Sequence, residues 1–306
     1  MRFPEMRIEV SRESERPEHR ESATQALRSL LARPSLQVMP CCFDAFSARL
    51  IERAGFPLTF MSGFAVSASR LAQPDTGLIS YAEMLDQGRN ICAAVSIPVI
   101  GDADTGYGNA LNVRRTFEGY AAAGFASAMI EDQVSPKRCG HTQGKQVVER
   151  DEALARVRAA VDAREAGADL LVLARTDARA SHGLDEALWR ARAFEDLGAD
   201  FVFVEAPTSE QEMEAICAAT RIPNLANMVE EGITPILPPA RLEALGYRLA
   251  AYPLTLLSAA ARAMEEALSA LAEGRPVERR LSFGELRERV GFDAYEALAA
   301  RYAPED

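Results

Sequence analysis

Short apolar runs alternate with longer stretches of mixed polarity along most of the chain. The runs predict strands at Leu36–Met39, Leu58–Met61, Ile97–Asp102, Ser127–Glu131, Leu170–Ala174, Phe201–Glu205, Asn224–Asn227 and Arg248–Ala251. Their starts lie 22 to 43 residues apart, which leaves room for a helix and two loops each. Ile97-Pro98-Val99-Ile100, Leu170-Leu171-Val172-Leu173 and Phe201-Val202-Phe203-Val204 are continuously apolar. Strands covered by helices read this way, so the sheet is expected to be parallel.

Between the strands, Leu111–Ala123, Asp151–Ala166 and Leu184–Leu197 fit helices that stop at Gly124, Gly167 and Gly198. A glycine just past a helix supplies the left-handed cap that ends it. Gly124-Phe125-Ala126, Gly167-Ala168-Asp169 and Gly198-Ala199-Asp200 then open the next strand. This rhythm predicts an α/β protein, a (β/α)8 TIM barrel. The alternative, a doubly wound open sheet, would carry G-x-G-x-x-G after its first strand, and none is present. The expected organisation is a polar leader at residues 1–21, a barrel at 22–273 and a C-terminal helical appendage at 274–306. Gly274-Arg275-Pro276 opens the appendage, which holds candidate helices at Phe283–Arg289 and Phe292–Tyr302 and could pack on a neighbouring subunit.

Composition narrows the partners. With 34 Lys+Arg against 45 Asp+Glu the net charge is −11, which disfavours nucleic acid. The longest apolar stretches, such as Leu249–Ala261, fall short of the roughly 20 residues of a spanning helix, so no membrane is expected. Met1 to Arg20 lacks the apolar core of a secretory signal. The five cysteines are odd in number, scattered and without C-x-x-C spacing, which points to reduced thiols in a cytoplasmic protein. Cys41, Cys42, Cys92 and Cys217 read as small hydrophobes, and His19 and His182 as surface residues. Three histidines make a multi-His metal site a poor expectation.

Barrel active sites lie at the C-terminal ends of the strands. The polar residues there are Asp44, Ser62-Gly63, Asp102 and Asp104, Glu131-Asp132-Gln133, Arg175 and Asp177, Glu205, Asn227 and Tyr252. Loop beginnings are often polar, but that does not account for so many carboxylates directly after apolar runs. Asp102 and Asp104 are two apart, so on an extended strand they share a face and repel unless a cation joins them. Mg²⁺ or Mn²⁺ with oxygen and water ligands fits, with Glu131 on the next strand nearby. The segment Pro136-Lys137-Arg138-Cys139-Gly140-His141, followed by Gly144-Lys145, places a thiol among cations. Such a setting lowers a thiol pKa and suits proton donation or nucleophilic attack. Gly140 and Gly144 suit a lid; the plainer reading is an exposed basic loop. Arg175 ends a buried strand and needs an anionic partner, either Asp177, Glu205 or a substrate carboxylate. Together these residues predict a metal-assisted enzyme acting on a small di- or tricarboxylate through an enolate.

The chain resembles the isocitrate lyase / phosphoenolpyruvate mutase superfamily over about residues 24 to 300. The motifs that carry the resemblance are Phe43-Asp44-Ala45-Phe46-Ser47-Ala48-Arg49, Ser62-Gly63, Pro74-Asp75-Thr76-Gly77, Asp102-Ala103-Asp104-Thr105-Gly106-Tyr107-Gly108, Ile130-Glu131-Asp132-Gln133, Lys137-Arg138-Cys139-Gly140-His141, Ala174-Arg175-Thr176-Asp177-Ala178, Glu205-Ala206 and Asn227-Met228. The K-R-C-G-H run marks the carbon–carbon lyases of that superfamily. The resemblance implies a barrel whose last helix is exchanged between partners, usually in a homotetramer. It implies Mg²⁺ or Mn²⁺ bound by Asp102, with Asp75, Asp104 and Glu131 reaching it partly through water. Ser62, Gly63 and Arg175 would hold the pyruvate-like or oxalate-like part of the substrate. Cys139 would protonate the enolate left by retro-aldol cleavage. Gly140, His141, Glu205 and Asn227 would complete the substrate and loop contacts.

Within the superfamily the motifs favour the 2,3-dimethylmalate lyase, 2-alkylmalate lyase and oxaloacetate hydrolase group. Phe64, the run Asn227-Met228-Val229-Glu230-Glu231-Gly232-Ile233-Thr234-Pro235, and Ser258 replace residues with which 2-methylisocitrate lyases would bind a third carboxylate. Glu231 departs from the group's usual Gly, and Pro253 stands where oxaloacetate hydrolases tend to carry Ser, which tilts the reading to a lyase. Phe60 replaces a Tyr that assists deprotonation in methylisocitrate lyases, so another group, such as Glu205 or Arg175 with metal-bound water, must serve. The alternatives are oxaloacetate hydrolysis or decarboxylation, 2-methylisocitrate cleavage and carboxyphosphonoenolpyruvate-type phosphonate chemistry. The non-enzymatic alternative is a carboxylate-binding barrel.

Overall fold

The computed structural model describes residues 21–137 and 146–303. Eight parallel strands run in the order in which the chain makes them: β1 Gln37–Cys42, β2 Thr59–Met61, β3 Val99–Asp102, β4 Ser127–Glu131, β5 Leu171–Thr176, β6 Phe201–Val204, β7 Leu225–Asn227 and β8 Leu249–Tyr252. Each pairs with its sequence neighbour, and β1 also pairs with β8. Between β6 and β7 the contact is one parallel bridge, Val202 to Asn224, where the Val202 N–H donates to Pro223 O at 3.0 Å. The result is the nearly closed (β/α)8 barrel expected from the strand rhythm, with helices outside.

Side chains alternate strictly across this wall. Leu171 and Leu173 of β5, Phe201 and Phe203 of β6, Ile100 of β3 and Met129 of β4 fill the barrel interior. Their neighbours Val172, Ala174, Val202 and Ala128 pack outward against the helices. The helix Ala23–Leu31 stops the barrel floor by inserting Leu27, Leu30 and Leu31. The same period of two, carried one step further, aims Ser62, Asp102, Glu131, Arg175, Glu205 and Asn227 inward at the opposite rim. The interior is thus largely apolar, and its charged groups gather at the C-terminal mouth.

The helices follow from the same physics. Ala110–Ala123 buries Val113, Thr116, Phe117 and Tyr120, one stripe at helical spacing, and its Asn109 cap accepts the N–H groups of Leu111 and Asn112. Phe117 is fully buried, so truncating it to Ala would cost about 3–5 kcal/mol. Gly124, Gly167 and Gly198 all have φ near +100°, as their repeated position past a helix end predicts (95°, 111° and 97°).

Three local details differ from expectation. β1 continues to Cys42, and β5 continues through Arg175 to Thr176, because both are ladder-bonded to their neighbours. Short helices at Gly63–Val66 and Ala178–His182 follow directly on β2 and β5, the first capped by the Ser62 hydroxyl. Asp44, one of the polar strand ends, is spent on a capping box with Ser47 at the start of Ala45–Arg53. The appendage forms two helices, Phe283–Val290 and Phe292–Ala300. No helix among the described residues is long and apolar enough to cross a membrane, and Cys41, Cys42, Cys92 and Cys217 are free thiols.

Candidate active site

One wall of the barrel mouth is acidic. Asp102 ends β3, and each of its carboxylate oxygens receives a backbone N–H: Gly63 donates to Oδ2 at 3.1 Å and Asp104 to Oδ1 at 3.0 Å. The second of these bonds turns the chain. Asp104 lies beyond the strand with φ of 55°, so a tight turn, rather than strand alternation, brings it beside Asp102. Its own backbone carbonyl accepts the Glu131 N–H at 3.1 Å, which ties β3 to the end of β4. The Tyr120 hydroxyl donates to the Asp102 carbonyl at 2.8 Å from behind. A Cβ on Gly63 would stand 2.4 Å from Asp102 Oδ2, so a side chain there would push that carboxylate aside.

Lys137 delivers a buried ammonium into this wall. Its Nζ lies 2.8 Å from Asp75 and 3.7 Å from Asp104. Against the cost of burial, Asp104 and Asp75 hold that ammonium firmly protonated. Burial, with Asp102 and Asp75 close by, raises the Asp104 carboxyl to about 6 although Lys137 opposes the shift.

Opposite lies Arg175, only 8% exposed. Its Nε donates to Asp177 Oδ2 at 2.8 Å and its Nη2 to Asp177 Oδ1 at 3.0 Å, a two-pronged bond. Glu131 and Glu205 each approach the same guanidinium to 3.4 Å. The partner left open by the sequence is therefore internal and threefold. Because Asp177 takes the Nε edge, the remaining edge of the fork is the part suited to a ligand carboxylate. The Asn227 amide donates to Glu205 Oε2 at 3.2 Å.

These groups surround a cavity of about 90 Å³. Ser62, Asp75, Asp102, Lys137, Arg175, Glu205 and Asn227 form its polar side. Phe60, Phe64, Leu225, Val229, Pro253 and Leu254 are among those that form an apolar side. Asp104, Glu131 and Gly63 are not among the lining residues but contact Lys137, Arg175 and Asp102, which are.

The donor set suits a hard divalent cation. Asp75, Asp102, Asp104, Glu131, Asp177 and Glu205 are six carboxylates against two cations, Lys137 and Arg175, all buried. Both carboxylate oxygens of Glu131 are buried without a hydrogen-bond partner, and burial raises its carboxyl well above the usual range despite Arg175 and Lys137. Among the described residues no three His, Cys, Asp or Glu side chains converge to ligate one ion directly. Mg²⁺ keeps several waters and takes one or two carboxylates directly, and Asp75, Asp102 and Glu205 are the carboxylates that line the cavity.

The structure thus brings together Ser62, Asp75, Asp102, Asp104, Glu131, Arg175, Glu205 and Asn227. Cys139, Gly140 and His141 lie outside the described residues. The stems of their segment meet at the mouth, where Gln133 and Val147 form an antiparallel bridge. Sequence reasoning treated Lys137 only as a cation near the thiol; its place as the counter-ion of Asp75 was missed. The apolar side of the cavity was missed as a unit, since its residues come from separate strands and loops.

The model of the family described as phosphoenolpyruvate phosphomutase matches residues 27–272. A 2,3-dimethylmalate lyase from Eubacterium barkeri is 41% identical over 281 residues, covering 90% of this chain and 97% of its own. The solved structure of an oxaloacetate acetylhydrolase in complex with the inhibitor 3,3-difluorooxalacetate superposes with a TM-score of 0.89 at 36% identity, covering 94% of this chain and all of the other. A phosphonopyruvate hydrolase in complex with oxalate and Mg²⁺ superposes at 0.81 with 31% identity, covering 92% and 99%. Barrel, acidic wall and matching family model lead to one conclusion: the chain belongs to the PEP mutase/isocitrate lyase superfamily.

Proposed function

We propose that this protein is a Mg²⁺-dependent (or Mn²⁺-dependent) carbon–carbon lyase. Its substrate is a 2-alkyl- or 2,3-dialkyl-substituted malate, cleaved to pyruvate or another 2-oxo acid and a carboxylic acid. The observation that carries this reading is the two-sided cavity, with Arg175, Lys137 and the acidic wall on one side and an apolar wall on the other. A dicarboxylate with alkyl substituents matches both sides. The likeness to a 2,3-dimethylmalate lyase supports the same class.

In this reading Arg175 and the Ser62 hydroxyl hold the carboxylate of the 2-oxo acid half. The cation, held by Asp102 with Asp75, Asp104 and Glu131 around it, would offset the carboxylate charge and favour negative charge on the C2 oxygen. Glu205, fully buried and facing the cavity, takes the hydroxyl proton, since Phe60 has no group that can. The C2–C3 bond breaks as C2 becomes a carbonyl, and its electron pair passes into the carboxylate of the departing half. Cys139 returns a proton to C3, with Gly140 and His141 placing its segment. Leu225, Val229 and Leu254 shelter the alkyl groups and exclude water from the carbanion.

Oxaloacetate hydrolysis is the second reading, favoured by the likeness to the acetylhydrolase. Pro253 lines the cavity where such hydrolases tend to carry a hydroxyl, and that speaks for the lyase. A panel of alkylmalates, 2-methylisocitrate and oxaloacetate separates the two: pyruvate release supports the lyase, and oxalate release from oxaloacetate supports the hydrolase. Cys139→Ser should lose most turnover and keep metal affinity; full activity would remove the thiol from the mechanism.

The quaternary state belongs to the same proposal. Met264, Leu268 and Leu271 on Thr255–Ala272, and Phe283, Tyr295 and Leu298 on the following helices, are exposed apolar side chains. Residues 274–306 pack on a neighbouring copy in a homotetramer, a cytoplasmic assembly of reduced chains. Light scattering coupled to size exclusion tests it, and a monomer would contradict it.

A further inference from the structure

Arg175 is aimed by Asp177, and Asp177 is itself held from behind by residues that touch no part of the cavity. Asp132, at the end of β4, is 1% exposed. Its Oδ1 accepts the Asp177 backbone N–H at 2.9 Å, and its Oδ2 accepts the Thr176 hydroxyl at 2.6 Å. Both donors belong to the two residues that follow Arg175. A third donor, Arg190 Nη1 from the helix Leu184–Asp196, reaches Oδ2 at 3.0 Å. Arg190 is 3% exposed and is fixed in turn by Glu186, which accepts its Nε at 2.8 Å. Glu186 also takes the fork of Arg150. A continuous chain of charged groups therefore runs from the surface through Arg150, Glu186, Arg190 and Asp132 to the backbone of Asp177, and from its carboxylate to Arg175.

We propose that Asp132 and Arg190 are positioning residues for Arg175, setting the Thr176–Asp177 backbone so that the guanidinium presents its ligand edge to the cavity. A buried ion pair is poor evidence for stability alone, since replacing one by apolar groups is often neutral. What distinguishes this pair is convergence: the two side-chain bonds that Asp132 accepts outside the pair both fall on the turn that carries the Arg175 counter-ion. Asp132 also uses its carbonyl, which accepts the Val148 N–H at 2.8 Å and so joins the same point to the return arm after residue 145. Displacements of about 1 Å in a positioning group can cost about 100-fold in rate, so this support matters to Arg175 more than to the barrel. The inference rests on the reading that Arg175 holds a substrate carboxylate.

The test uses Asp132→Asn and Arg190→Met in the full chain, with Thr176→Val as the milder change should either fail to fold. Oxalate binding in saturating Mg²⁺ and Mg²⁺ binding alone are measured by calorimetry, and crystal structures record the Arg175 guanidinium. The expected result is oxalate affinity weaker by about 10- to 100-fold, Mg²⁺ affinity within twofold of the parent, and Arg175 displaced from its bond with Asp177. Unchanged oxalate affinity with Arg175 in place would overturn the inference. So would parallel loss of Mg²⁺ affinity, which would mark a general structural role. If the parent protein binds no oxalate, the functional reading fails instead, and the position of Arg175 in the variants alone decides the inference: displaced upholds it, unmoved overturns it.

Discussion

Glu131 and Arg175 face each other in register across β4 and β5, with their charged groups 3.4 Å apart. The contact is longer than a hydrogen bond, and Asp177 holds the same guanidinium at 2.8 Å. Arg175 thus sits between the acidic wall and its own counter-ion and can turn one edge to a ligand. Arg175→Lys keeps the charge and loses the fork. Steady-state assays of this variant should give kcat/KM lower by about 100- to 1,000-fold, the size of a lost transition-state hydrogen bond. A loss under fivefold would show that the fork is not used.

Gly63 lies against the Asp102 carboxylate. Gly63→Ala places a methyl group against Asp102 Oδ2, so the carboxylate must move. Mg²⁺ affinity should fall by about 10- to 100-fold, as for other changes that misplace a metal ligand, while circular dichroism stays that of the parent. Unaltered metal affinity would remove Asp102 from the metal site.

In the proposed reading the apolar side of the cavity selects the alkyl substituents. Phe64 lines it, and Phe64→Gly removes a whole ring. Each methylene-sized misfit in such a pocket is worth about 1–3 kcal/mol. The ratio of kcat/KM for 2,3-dimethylmalate over 2-methylisocitrate should drop by at least about tenfold. An unchanged ratio would place the alkyl groups elsewhere.

Stability has an acid-sensitive component at a group outside the cavity lining. The Arg150 and Arg190 bonds hold the Glu186 carboxyl down at about 2, against an ordinary 4.5. A folded-state value below the unfolded one stabilises the protein above about pH 4.5, and that contribution disappears as pH falls through about 2. Glu186→Gln should therefore lower stability by about 1–3 kcal/mol at pH 7. Urea unfolding at pH 7 and pH 3 should find the gap between variant and parent narrower at pH 3. A gap that widens toward acid would refute the ion-pair assignment.

Strand order and the polar ends of the strands were legible in the sequence because both follow local rules. A period of two places Asp102, Glu131, Arg175, Glu205 and Asn227 at one rim once the strands are known. Glycines past the helix ends punctuate the chain. Tertiary pairing was less legible. Lys137 looks like part of a solvated basic run, and only the fold places its ammonium on Asp75, 62 residues away in sequence. Asp132 reads as one more polar strand end, and Asp177 as one of the possible partners of Arg175. The fold adds what the sequence could not: Asp132 accepts from Arg190, and Asp177 accepts from Arg175. Asp104 was paired with Asp102 for a reason that did not hold, since a left-handed turn, not a shared strand face, joins them.

The central claim is cation-assisted cleavage of an alkyl-substituted malate at the barrel mouth. Its most direct test is pyruvate release from 2,3-dimethylmalate and 2-alkylmalates, followed with Mg²⁺ and again after EDTA. The account predicts stoichiometric pyruvate and carboxylic acid with Mg²⁺, and loss of turnover on chelation with recovery when Mg²⁺ is restored. Cleavage that proceeds equally after chelation, or no cleavage of any alkylmalate beside rapid oxalate release from oxaloacetate, would contradict it.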